Sequence, residues 1–226
     1  MIKTDVLFDS IDDISCAWVP NGTDVPELAR ISDLVIAKNM QYLSLPVGAV
    51  DTVWPWVEQN SVKILTRVNF ANDATGDVAM SQLATNITDA FRHGASGVQV
   101  FVHYDDITEF VDMMLPMRDD LFFERYLSVA MNIKEVPNNK WPEVFALLDK
   151  IRPNSILIIA DGDSFNPKSD FLGRMYAMLE QWNQKFALHV IFGKNMMRVS
   201  QTLRLVQKMQ PGILPEFRVF IIADPE

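Results

Sequence analysis

The chain has 226 residues, 49% of them hydrophobic and 22% charged, enough to bury a large core without disulfides or metals. A formal charge of −9 argues against phosphate backbones and anionic membrane surfaces as partners, so neither nucleic acid nor membrane is expected. Cys16 is the only cysteine, which excludes an intrachain disulfide and a cysteine-rich zinc site; no cofactor is expected.

Short apolar runs alternate with amphipathic stretches along the whole chain. Residues 14–19 read as a first strand, followed by a vague helix over 25–38 and a second strand over 42–47. A second vague helix spans 50–59, and the third strand spans 62–70. The helix over 77–93 carries Leu83, Ile87, Ala90 and Phe91 at helical spacing and stops at His93-Gly94, where glycine tolerates a left-handed conformation. A fourth strand over 97–103 and a helix over 107–115 come next, then a fifth strand over 127–133. Pro142 opens the helix over 141–151, where its missing N–H costs nothing, and Pro153 stops it. The remaining strands are 155–160, 187–192 and 217–223, separated by helices over 170–184 and 198–209.

The strands Ser155-Ile156-Leu157-Ile158-Ile159-Ala160 and Phe217-Arg218-Val219-Phe220-Ile221-Ile222-Ala223 are apolar almost without interruption. That pattern suits parallel strands covered by helices. Eight such strands predict an α/β fold, a (β/α)8 TIM barrel first and an open, doubly wound sheet second. No linker, repeat or charge block divides residues 1–226, so one barrel domain is expected. The start Met1-Ile2-Lys3-Thr4-Asp5 lacks a signal-peptide pattern, and no apolar run reaches 18 residues, which makes the cytoplasm the expected location.

The stretch Val62-Lys63-Ile64-Leu65-Thr66-Arg67-Val68-Asn69-Phe70 leads through a loop and helix to Ala90-Phe91-Arg92-His93-Gly94-Ala95, then to Gly97-Val98-Gln99-Val100-Phe101-Val102. It resembles the third strand, loop, helix and fourth strand of the deoxyribose-phosphate aldolase family of class I aldolase-type barrels. Leu43-Ser44-Leu45-Pro46 is similar to that family's second strand and His189-Val190-Ile191-Phe192-Gly193 to its seventh. The resemblance follows element order from Ile14 to Ala223, but it is residue-specific only over Val62 to Val102.

The resemblance implies lyase chemistry through a Schiff-base lysine on strand six, tuned by a strand-seven lysine and a strand-four aspartate. Such an amine must be neutral to attack, and a neighbouring cation lowers its pKa. Aligning the strand-six glycine with Gly162 places Ile158 at the Schiff-base position, and a one-residue slip gives Ile159. The same alignment places His189 and Gln99 at the other two positions, so the family's catalytic set is not retained. The sequence ends with Asp224-Pro225-Glu226 straight after strand eight, so the phosphate loop and final helix are expected to be missing.

Gln99, His189 and Asp161 are the candidate catalytic residues, and Arg67, Asn69, His103, Asn132 and Lys194 the candidate ligand-binding residues. His103 and His189 are expected to share the mouth formed by the strand C-termini. With Asp161, Asp163, Asp105 or Asp106 they supply the residue types of an acid/base or metal site, against the competing reading of structural histidines. Arg67 and Asn69 have the same strand parity; if they face the barrel interior, Arg67 is costly to bury without a carboxylate, a need that Gln99 or an aspartate at the mouth would meet, and the competing reading is a structural buried network. Lys134 and Lys194 are the alternatives for a relocated nucleophile, or else exposed loop lysines. Asp161-Gly162-Asp163-Ser164 binds a sugar hydroxyl or simply caps a turn. The methionine pairs are expected to fill gaps between helices and barrel, and Trp54-Pro55-Trp56 to offer a partner surface.

Three functions stay open. One is a diverged lyase-type site for a small carbonyl or sugar ligand at the barrel mouth. Another is a non-catalytic barrel that binds a metabolite or protein. The third is a homo-oligomeric subunit with a closed mouth.

Overall fold

Each apolar run forms a strand, and each strand pairs in parallel with the next until the eighth returns to the first. The computed structural model describes residues 15–70, 77–160, 170–192 and 196–222. The strands are β1 Ser15–Trp18, β2 Tyr42–Pro46, β3 Lys63–Asn69, β4 Gly97–Phe101, β5 Tyr126–Asn132, β6 Ser155–Ile159, β7 Ala187–Phe192 and β8 Arg218–Ile222. Between them lie α1 Val25–Ala37, α2 Val50–Val57, α3 Asp77–Arg92, α4 Ile107–Leu121, α5 Trp141–Ile151, α6 Phe171–Glu180 and α7 Met196–Met209. The β1–β8 pairing, with Cys16 opposite Phe220, closes the barrel and rules out the open-sheet alternative. Closure also leaves no sheet edge to pair with another chain. The (β/α)8 expectation therefore holds for the described residues.

Side-chain alternation divides the core in two. Outward residues such as Leu43, Ile64, Val98, Val129, Ile156, Ile158, Leu188 and Val219 pack against the helices. Inward residues Cys16, Tyr42, Leu65, Ala130, Leu157, Ile191 and Phe220 fill the barrel, joined by Trp18, Phe101, Tyr126, Ile159 and Ile222. The barrel is thus a packed core rather than a pore. Gly97 permits this packing on β4. A Cβ there would lie 2.4 Å from the Tyr126 Cβ and 2.5 Å from the Tyr126 carbonyl oxygen.

Local chemistry explains most helix ends. Asp24 caps α1 by accepting the Glu27 N–H at 3.0 Å. Arg152 adopts φ 44 and ends α5 just ahead of Pro153. Two expected ends move. The helix expected to stop at 115 continues through Pro116 to Leu121. Its last turn is tied down by Arg118, whose Nε donates to the Ile151 carbonyl at 2.8 Å. The helix expected to run to 184 ends at Glu180, after which Trp182 and Phe186 turn into an aromatic cluster with Phe145. Met113, Met114, Met175 and Met178 are buried among the helices and strands, as gap-filling methionines are, whereas Met197, expected to do the same, is exposed on α7. Among the described residues, no helix is long and apolar enough to cross a membrane.

Candidate functional site at the barrel mouth

The C-terminal ends of the strands surround two adjoining cavities. The larger, about 530 Å³, is lined by Asn69, Phe101, His103, Asp106, Asn132, Glu135 and Ile159 together with Phe70, Val102 and Ala130. The smaller, about 360 Å³, is lined by Trp18, Pro20, Asn21, Pro46, Val47 and Arg67. Asn69 and Phe101 line both, so the two cavities form one continuous mouth. Its floor is aromatic: Trp18 and Phe101 meet edge to face with centroids 5.9 Å apart.

Arg67 lies on that floor. Strand parity brings it inward with Asn69, and its guanidinium sits 4.3 Å above the Trp18 ring. Its Nη2 donates to the Val19 carbonyl at 2.6 Å and to Asn21 Oδ1 at 3.2 Å. Both acceptors are neutral. Among the described residues no carboxylate forms an ion pair with it, and burial alone pushes its pKa down to about 10. It is still charged at neutral pH, so the mouth carries a cation that has lost part of its hydration without gaining an anion.

Beyond β4 and β5, in the larger cavity, His103 and Glu135 form a pair. His103 Nδ1 lies 3.0 Å from Glu135 Oε2, and the Tyr104 N–H reaches the same oxygen at 3.4 Å. The His103 side chain is 71% exposed. A carboxylate at Nδ1 favours the tautomer that leaves Nε2 as the basic nitrogen, an arrangement suited to moving a proton. Asn132, at the end of β5, uses its Oδ1 to accept the Lys134 N–H at 3.0 Å, which fixes the turn that carries Glu135.

The structure brings Arg67, Asn69, His103 and Asn132 to the mouth. Two expected catalytic residues lie elsewhere. His189 does not share the mouth with His103. It faces inward near the start of β7, is 1% exposed, and lines a cavity at the opposite, N-terminal end of the barrel. Burial, and then the nearby Arg218 cation, push its pKa down to about 3. Gln99 faces inward but is 0% exposed and lines neither mouth cavity. Its Oε1 accepts the Ser44 hydroxyl at 2.6 Å, and its Nε2 has no partner. Asp161, Asp163 and Lys194 lie outside the described residues. Among the described residues, no group of three or more His, Cys, Asp or Glu is placed to hold a metal ion.

The two isoleucines named on strand six face opposite ways. Ile158 points outward into the helix layer, whereas Ile159 faces inward and lines the larger cavity. Ile159 is therefore the rim position on β6. Among the described residues lining the two cavities there is no lysine. Lys134 is not among those lining residues, and Cys16 is fully buried, with burial raising its thiol pKa to about 12. Sequence reasoning missed Glu135 and Trp18. Glu135 had a signal, a carboxylate three residues beyond the end of β5; Trp18 read only as an apolar strand residue.

No family model and no curated protein matches the chain. Solved structures do. A Toxoplasma gondii protein with a provisional deoxyribose-phosphate aldolase assignment superposes with a TM-score of 0.74 at 12% identity, covering 98% of this chain and 92% of its own. The tetrameric deoxyribose phosphate aldolase of Aeropyrum pernix gives 0.69 at 7% identity, with 99% and 94% covered. A phosphoenolpyruvate phosphomutase from Streptomyces platensis gives 0.63 at 10% identity, with 96% and 79% covered. At such identities the likeness is one of fold, and a fold hosts many reactions. The chain forms a closed eight-stranded (β/α)8 barrel, the fold it shares with solved deoxyribose-phosphate aldolases.

Proposed function

We propose that the mouth binds a small, oxygen-rich carbonyl or sugar ligand that brings negative charge or a strong acceptor to Arg67, and that it does so without an imine. The observation that carries this reading is the Arg67 guanidinium, half-buried on Trp18 with only neutral acceptors among the described residues. A ligand oxyanion there would restore the interaction energy that burial removes. Asn69 and Asn132 supply hydrogen-bonding groups to hydroxyls, and the aromatic floor supports the apolar face of a sugar. Any turnover would be lyase-type proton transfer by His103 with Glu135, since Ile159 occupies the β6 rim.

A second reading, binding without turnover, draws support from Gln99 and His189, which lie away from the mouth. Cytoplasmic location is part of the proposal, supported by the lone Cys16. So is a homo-oligomer, supported by the tetramer of the Aeropyrum pernix aldolase of the same fold.

The test is a melting-temperature survey with ribose 5-phosphate, free ribose and glycolate, paired with borohydride reduction in the presence of an aldehyde. The expected result is stabilisation by an anionic ligand, loss of that stabilisation in Arg67→Ala, and no reduced adduct. An anionic response that survives Arg67→Ala, or a lysine adduct, overturns the proposal. Arg67→Lys guards against misfolding, because it keeps a cation on the Trp18 face, and it is expected to weaken binding as well because an ammonium cannot present the planar, two-nitrogen edge of a guanidinium to an oxyanion.

A further inference from the structure

The opposite end of the barrel holds a cavity of about 250 Å³ among the N-terminal ends of β2, β5, β7 and β8. Its polar groups are committed in an unusual way. Asn154 uses its Oδ1 to accept the Leu127 N–H at 2.8 Å, which fixes the orientation of its amide and leaves the NH2 as a donor. Gln41 uses its Oε1 to accept Arg218 Nε at 2.7 Å, which likewise leaves an NH2. Arg218 spends Nη1 on the Pro215 and Phe217 carbonyls and forms no ion pair among the described residues. Each of these amide oxygens already accepts one bond, and the N–H groups of Asn154, Gln41 and Arg218 are the donors among the lining residues.

His189 completes the wall. The ring stacks on Tyr126 with centroids 6.2 Å apart, and its Nε2 lies 3.5 Å from the Tyr126 hydroxyl. Its Nδ1 is buried and has no partner among the described residues. The buried ring is neutral, so it carries one N–H and one acceptor nitrogen. A buried polar atom of this kind normally has a partner, and a donor-rich wall selects an acceptor. One carboxylate, Glu216, also lines the cavity; it is solvent-exposed, and its charge reaches Tyr42, so the cation at Arg218 has to outweigh it.

We propose that this cavity is a binding site for a small carboxylate, held by Arg218 with His189, Asn154 and the phenols of Tyr42 and Tyr126, separate from the mouth. The volume lies just below the usual range for metabolite pockets, roughly 300–1,000 Å³, so the ligand is a short-chain acid. The site stands apart from Arg67, so its success or failure does not depend on the reading given to the mouth.

Acetate is the probe. The full-length protein, labelled with 15N-histidine, is titrated with sodium acetate while the ring signals of the buried histidine are followed, with His189→Phe providing the assignment. The signals are expected to move saturably with a Kd on the order of 1 mM. Acetamide, isosteric but neutral, is expected to bind at least about tenfold more weakly, and Arg218→Gln to weaken acetate by at least about tenfold. Arg67→Ala is expected to leave the response intact. Should Arg218→Gln fail to fold, contacts between the acetate methyl and the Tyr126 ring protons, seen by nuclear Overhauser effect in the unmodified protein, decide the matter. Signals unmoved at about 100 mM acetate overturn the proposal. So does equal binding of acetamide, which would leave only a neutral polar cavity, or a response abolished by Arg67→Ala.

Discussion

The neutral His189 makes a quantitative demand on folding stability. Tyr42, Tyr126 and Phe220 surround its ring with centroids 5.6, 6.2 and 5.7 Å away, and Arg218 is the neighbouring cation. In the unfolded chain the imidazole takes up its proton near the ordinary value of 6.5; in the barrel it does so only near about 3. Between those values the unfolded state binds more protons, so falling pH favours unfolding. Stability is full above pH 6.5 and declines as the pH drops towards 3, by at most about 1.4 kcal/mol per pH unit for one proton. At pH 5 the loss is about 2 kcal/mol, and at the foot of the window about 5 kcal/mol, comparable to the whole stability of a weak domain. Urea denaturation of the natural protein and of His189→Gln at intervals from pH 8 to pH 4 (roughly eight points suffice) isolates this contribution from the carboxylates, which titrate in both. The difference between the two curves should be flat above pH 7 and fall below 6.5. A difference that stays flat down to pH 4 would show that the ring is hydrated or already charged in the folded protein, and the packing argument for a neutral histidine would fail.

Other substitutions probe separate parts of the argument. Gly97→Ala sets a Cβ against Tyr126 backbone and side chain and should cost about 3 kcal/mol in urea unfolding; a neutral outcome would mean that β4 and β5 are farther apart than described. Gln99 keeps a buried Nε2 without a partner, so the double variant Ser44→Ala with Gln99→Met should equal or exceed natural stability, by up to about 1 kcal/mol. A clear loss in that double variant would reveal a partner for the amide. Ile158→Lys should destabilise by more than about 3 kcal/mol, since it buries an ammonium against the helices, whereas Ile159→Lys places it at the open rim and should cost about 1 kcal/mol. Equal costs would contradict the facing assigned to β6.

The fold was legible because its signals are redundant. Unbroken apolar runs, intervening amphipathic stretches and proline or glycine stops all point to parallel strands under helices, and seven of the eight strands moved by only one or two residues at their ends. The facing of β6 was not legible, for the same reason that β6 was easy to find. Ser155-Ile156-Leu157-Ile158-Ile159 is apolar on both faces, so no alternation marks which isoleucine looks inward. Depth was equally hidden. His189 lies in the uninterrupted run Ala187–Phe192, and nothing in that run tells which end of the barrel the imidazole approaches. Arg67 could be read, because a charge inside a strand is expensive enough to stand out and its parity with Asn69 fixes a shared face.

These facts bear on how the two ends of the barrel relate. Leu65, Leu157 and Phe220 are fully buried inside the barrel and line neither the mouth nor the opposite cavity. Several polar groups at that level pair across strands, as Ser155 does with Ser128 at 2.9 Å and Ser44 with the Gln99 Oε1, although the Gln99 Nε2 finds no partner among the described residues. A close-packed middle leaves little room for a second arrangement, and coupling between distant sites requires an element with two arrangements. The two proposed sites, at Arg67 and around His189, are therefore expected to be independent: a ligand at either end should stabilise the barrel without changing the affinity of the other, and an acetate titration repeated with ribose 5-phosphate present checks this.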